Sequence, residues 1–181
     1  MSNLTSPEGS ATNRFGPKRF HWWQAALFWL AVNAPGWFIP WREDLFPGFR
    51  APALRPPGAV FPVVWFVITV CALAAGLRTL NNAALSRRGT HLGLQAGFWL
   101  CYLVFPVGFF GLASPVLGFV LTFAILVIAA VDVALLARDD ATSALMLTPL
   151  LLWAAFAGLY IAPVQALWNP DPLFGLPAML R

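Results

Sequence analysis

Apolar residues run almost unbroken through five stretches of this chain, at about 22–39, 59–80, 91–110, 116–136 and 143–164. Polar or proline-bearing segments separate them. A helix needs about 20 mainly apolar residues to cross the hydrocarbon core of a bilayer, so each run is long enough, the first only just. The pattern predicts an all-α membrane protein built as a five-transmembrane-helix bundle, with a membrane domain over 20–165. Residues 1–19 are polar and predict a flexible tail. Residues 166–181 form a second tail, because Asn169-Pro170-Asp171-Pro172 cannot continue a helix.

The first connection, 40–58, is long for a link between packed helices, and such loops usually carry function or are disordered. It holds Pro52, Pro56 and Pro57, and Pro62 opens the helix that follows. Each proline fixes its own φ, removes a donor and pushes the residue before it towards extended geometry. Pro56-Pro57 is therefore a stiff elbow, and Pro62 is tolerated only in a first helical turn. A stiff elbow at a membrane surface suits a lid over whatever the helices enclose.

Composition strengthens the membrane assignment. Hydrophobic residues make up 60% of the 181 positions and charged residues 10%, against about 25% charged in soluble domains. Nine Trp and sixteen Phe supply the aromatic load of interfacial belts and apolar pockets. The net charge of +4 bears on membrane orientation and gives no reason to expect a nucleic-acid partner. Arg14, Lys18, Arg19, Arg78, Arg87, Arg88 and Arg138 fall on the amino-terminal side, and Arg42, Arg50, Arg55 and Arg181 on the other. The positive-inside rule then places the amino terminus in the cytoplasm. The run after Arg14, Lys18 and Arg19 contains Asn33 and Pro35 and has no clean small-residue cleavage site, so it reads as a first span entered at His21-Trp22-Trp23. Cys71 and Cys101 lie inside apolar runs and read as packing residues.

Several helix faces carry candidate chemistry. Phe98, Tyr102, Phe105 and Phe109 recur at helical spacing on the third span and form an aromatic stripe. About 100° round the helix lie Gly93, Gly97, Cys101 and Gly108, and Gly93-x-x-x-Gly97 offers a close-approach surface for another helix, that of a second protomer included. Trp153, Phe156, Ala157 and Tyr160 share a face of the fifth span. Lipid-facing or core packing accounts for any one of these residues. Two such faces beside a proline-stiffened loop predict an internal apolar pocket.

Asp132 is the one acid well inside a span. It reads either as functional or as a structural hydrogen bond to a neighbouring helix. His21 and His91 both sit at span starts on one side of the membrane, where interfacial placement accounts for them. Ligation of a metal or tetrapyrrole is the alternative. Asp139-Asp140 reads as a solvated charge run. No nucleophile elbow, zinc-protease helix, C-x-x-C, phosphate-binding glycine loop or intramembrane carboxylate pair is present, so neither an enzyme nor a metal site is expected.

The spacing P-x-x-x-P-P-x-x-V-F-P-x-x-W stands here as Pro52, Pro56, Pro57, Val60, Phe61, Pro62 and Trp65. Phe109-Phe110-Gly111 ends the third span, and Pro149-x-x-x-Trp153-x-x-Phe156-Ala157 marks the fifth. On these residues the chain resembles the tryptophan-rich sensory protein / translocator protein (TspO/MBR) family, over about residues 25–168. The resemblance implies a five-helix bundle, often a homodimer, whose cavity binds tetrapyrroles such as protoporphyrin or haem and in some members sterols, capped by the first loop. It implies that Trp65, Phe61, Tyr102, Phe105, Trp153, Phe156, Ala157 and Tyr160 line the pocket, with Pro56 and Pro57 shaping the lid. Where the family has tryptophans before the Pro-Pro pair, this chain has Ala53 and Leu54. The third-helix N-x-x-W falls on Tyr102 and Phe105, and the asparagine after the fifth-helix F-A on Ile161. These departures widen the ligand class towards a carotenoid, quinone or other lipid.

The reading is therefore a multi-pass protein of a bacterial inner membrane. It binds a hydrophobic small molecule for sensing, sequestration or transport, without an obligatory cofactor. The alternative is a structural or assembly subunit that packs against a larger membrane complex. Inward aromatic stripes favour the first reading, outward stripes the second.

Overall fold

The computed structural model describes residues 20–40 and 44–180. The tail expected over 1–19, positions 41–43 of the first loop and Arg181 lie outside the described residues. The helices are α1 (Trp22–Trp37), α2 (Val60–Asn81), α3 (Arg88–Pro106), α4 (Pro115–Asp139) and α5 (Ala141–Phe156). A π-helical turn (Val107–Gly111) extends α3, and another (Ala157–Ile161) carries α5 into a short α6 (Ala162–Trp168). Pro163 has no N–H to give the carbonyl four residues back, Leu159, so the ladder widens where the helix passes it.

Four of these rods are long and apolar enough to cross a membrane. α1 is the exception. The first span was expected over 22–39, but the helix stops at Trp37 after 16 residues, about 24 Å. Pro35 and Gly36 in its last turn and Pro40 just beyond stop it from continuing. Exposed apolar side chains surround the bundle, Val63 and Phe66 on α2, Leu100 on α3, Val120 on α4, Leu152 on α5 and Leu159 in the second π turn. A surface this apolar on every side is stable against lipid and not against water.

α4 lies along both α3 and α5 and forms the spine of the bundle. The core between them and α2 is filled by Ile68, Ala72, Ala75, Phe98, Ile125, Ala129, Leu136, Leu147, Leu150 and Ala154. Ser114 caps α4 by accepting from the Leu117 amide at 3.0 Å, with Pro115 in the first turn. Asp140 caps α5. Beyond the core, α1 is held by two polar pins. Trp29 Nε1 donates to Thr69 Oγ1 (3.0 Å) on α2, and Tyr102 Oη on α3 donates to Asn33 Oδ1 (2.8 Å).

Glycines allow the second π turn and α4 to meet closely at the other side of the spine. Gly158 stands with its missing Cβ 3.5 Å from the Thr122 carbonyl. Gly108 and Gly118 do the same for the first π turn: a Cβ on Gly108 would lie 2.7 Å from Leu117, and one on Gly118 would overlap the Phe109 ring. Gly118→Ala is expected to destabilise, because overpacking costs about 1–3 kcal/mol and the gain in helix propensity is about 1 kcal/mol. Thermal unfolding in detergent reads the sign, and a higher midpoint would mean that Phe109 moves aside freely.

Candidate functional site

The aromatic residues singled out from the sequence separate into three groups. On α2 and α3, Trp65 meets Tyr102 with ring centroids 5.3 Å apart, and Tyr102 continues to Phe98 and Trp99. On α2 and α5, Phe61 meets Trp153 edge-on at 5.5 Å. From there the series runs to Phe156 and on to Tyr160, stacked at 6.1 Å. Phe105 instead stacks on Phe109 at 5.2 Å and touches Phe110, around the π turn. Phe61, Trp65, Tyr102, Phe105, Trp153, Phe156, Ala157 and Tyr160 are all half-buried. Each has one side on the bundle and one side available.

The first loop meets the far end of the chain beside these rings. The Leu54 amide donates to Tyr160 Oη at 3.4 Å. The Arg50 amide donates to Asn169 Oδ1 (2.7 Å), and Asn169 Nδ2 returns a bond to the Arg50 carbonyl (2.9 Å). The Arg50 guanidinium lies over the Trp168 ring, 5.3 Å from its centroid. Two residues on, Asp171 is 1% exposed. Its carboxylate accepts from Ser114 Oγ (2.6 Å), the Val116 amide (2.9 Å) and the Phe174 amide (3.0 Å). The segment after Trp168 is thus a clasp that ties the first loop and the α3–α4 turn to the end of α6. Pro56 is half-buried and Pro57 exposed.

Two expectations about charge are corrected at the opposite end of the bundle. His91 stands in the first turn of α3 but is not wetted there: it is 0% exposed and fixed between α3 and α4. Its Nδ1 lies 2.6 Å from Asp132 Oδ1 and its Nε2 3.0 Å from Asp139 Oδ2. Asp139 and Asp140 are half-buried and paired, not a free charge run. Asp139 takes two bonds from Arg87 (2.9 and 2.6 Å), and Asp140 pairs with Arg78 at 3.0 Å. Burial pushes the Asp140 carboxyl up, but hydrogen bonds from Arg78 and Ser143 outweigh it and hold it below its ordinary range. Arg87 adopts left-handed backbone (φ 54°), at a cost of about 1 kcal/mol, and its fork on Asp139 holds it there.

A hydrogen-bonded chain therefore runs inwards: Arg87, Asp139, His91, Asp132, then Gln95, whose Nε2 donates to Asp132 Oδ2 at 3.4 Å. Both nitrogens of His91 are occupied, so it has none to offer a metal. The sequence carried a signal for this chain. Residues 87, 91 and 95 are spaced by four and 132 and 139 by seven, each set on one helix face.

Beside Gln95, a groove of about 490 Å³ opens between α1, α2 and α3, lined by Ala25, Phe28, Gly76, Leu80, Ala96 and Trp99 among others. It lies in the half of the bundle away from the first loop. Of the glycines expected to serve helix approach, Gly97 is used within the chain, its missing Cβ 3.3 Å from Ile128 on α4, whereas Gly93 faces open space.

A family model described as the TspO/MBR family matches residues 25–165. No curated protein matches the chain.

Proposed function

The chain belongs to the TspO/MBR family, and from that membership we propose that it binds a hydrophobic small molecule among the aromatic side chains of α2, α3 and α5, for sensing, sequestration or transport. The observation that carries this reading is the run of half-buried rings Phe61, Trp153, Phe156 and Tyr160 on α2 and α5, with Trp65 and Tyr102 beside it. A flat macrocycle gains about 0.5–1.5 kcal/mol from each offset or edge contact with such a ring, beyond the burial of its own apolar area. A tetrapyrrole is the leading ligand class. Protoporphyrin and haem both belong to that class. The first loop is the lid of this site, stiffened by Pro56 and Pro57 and anchored through Leu54 and Arg50. The alternative is an assembly subunit, which would use the same rings for helix contacts.

Titration of the detergent-purified protein with protoporphyrin IX, followed by tryptophan quenching and the Soret band, tests the reading. Saturable binding is expected, weakened about tenfold by Trp153→Ala or Trp65→Ala as a stacking contact is lost. Failure to saturate, with the helical circular dichroism intact, would remove the tetrapyrrole.

A further inference from the structure

The groove between α1, α2 and α3 has almost entirely apolar walls; Gln24 and Gln95 are its polar lining residues, and Gln95 has a fixed direction. Gln95 is 7% exposed. Its amide could in principle turn either way, so its neighbours decide which end faces the groove. Thr79 Oγ1 donates its proton to the Ala75 carbonyl at 3.0 Å and can only accept from Gln95, 3.5 Å away. Asp132 Oδ2, at 3.4 Å, is the other neighbour, and Asp132 is itself held by His91. Two acceptors therefore claim the amino group, and the carbonyl oxygen is turned away from them. That oxygen lies against the bare Cα of Gly76, where a Cβ would come within 3.2 Å of it, and both residues line the groove. Among the described residues it accepts no hydrogen bond, and no fully buried side-chain oxygen lacks a partner. Gln95 Oε1 therefore opens onto the groove.

An acceptor in apolar surroundings rewards a ligand that brings one donor and penalises one that brings none or a charge. We propose that this groove is a second binding site, separate from the aromatic layer, for a neutral apolar membrane molecule bearing a single hydroxyl that donates to Gln95 Oε1. The volume suits a molecule of roughly twenty to twenty-five heavy atoms. Phe28 and Trp99, edge-to-face at 5.1 Å, form part of its wall. Entry is lateral from the lipid, past exposed Ala96 and Leu100. The site does not depend on the tetrapyrrole reading.

The test uses the full chain in phosphatidylcholine nanodiscs and two fluorescent probes, retinol and retinyl acetate, which share an isoprenoid body and differ in the donor. Retinol is expected to saturate one site about tenfold more tightly than the acetate. Gln95→Leu should bring retinol down to the acetate and leave the acetate unchanged. Ala96→Phe, at an exposed lining position that leaves the Gln95 network intact, should weaken both probes. Trp153→Ala should weaken neither. Equal affinity for the two probes, partition without saturation, or retinol binding indifferent to both Gln95→Leu and Ala96→Phe would overturn the proposal. Loss of retinol binding in Trp153→Ala alone would move the alcohol to the aromatic layer and overturn it equally.

Discussion

His91→Ala is expected to remove about 3–5 kcal/mol of stability, from the cavity left by a fully buried side chain and the stranding of its buried partner Asp132. His91 is fully buried, and its two ring nitrogens lie 2.6 Å from Asp132 and 3.0 Å from Asp139. Without it Asp139 keeps the Arg87 fork. Among the described residues Asp132 then keeps the long bond from Gln95 alone, in a span where a solitary carboxylate is costly. The loss therefore falls on Asp132. The double variant His91→Leu with Asp132→Leu removes the stranded charge with its partner, so it should be more stable than His91→Ala alone. Unfolding in detergent by denaturant titration measures both. A double variant as unstable as the sum of its single changes would show that the two residues contribute independently.

Asp171→Ala carries the next largest expectation, about 3 kcal/mol or more, from hydrogen bonds to a charged group worth roughly 1.5–3 kcal/mol each. The carboxylate closes Ser114 Oγ, the Val116 amide and the Phe174 amide, and two of those donors belong to the start of α4. Asp171→Asn separates geometry from charge. Its single carbonyl oxygen can serve the two donors that share Oδ2 but not also Phe174, so it should fall between wild type and alanine. The same unfolding titration ranks the three proteins. An alanine variant equal to wild type would mean that water replaces the carboxylate at no cost.

The spans were legible because a bilayer sorts residues by one property over a long window, and the runs from 59 to 164 show it plainly. The family motif was legible for a related reason: Pro52, Pro56, Pro57, Phe61 and Trp65 act through local geometry, which sequence spacing preserves. What escaped depends on partners distant in the chain. His91 and Asp139 stand at span ends, where charge is ordinarily wetted, and only their partners 41 to 52 positions away turn them inwards. The segment after Trp168 reads as a tail because its prolines end the helix. Its order comes from Asn169 reaching Arg50, 119 positions back. The first span was overlong for a local reason, since apolar Phe38 and Ile39 extend the hydropathy signal past the point where Pro35 and Gly36 let the helix end.

The clasp has a consequence for the order in which the protein is made. Arg50 leaves the ribosome long before Asn169 does, and Ser114 well before Asp171. Until residues 169–171 emerge, the first loop lacks its two bonds to Asn169 and the head of α4 its two bonds to Asp171. The helices can enter the bilayer in sequence, but this face of the bundle is sealed only late. During that interval it stays open to solvent, to quality-control proteases and to any hydrophobic molecule already in the membrane.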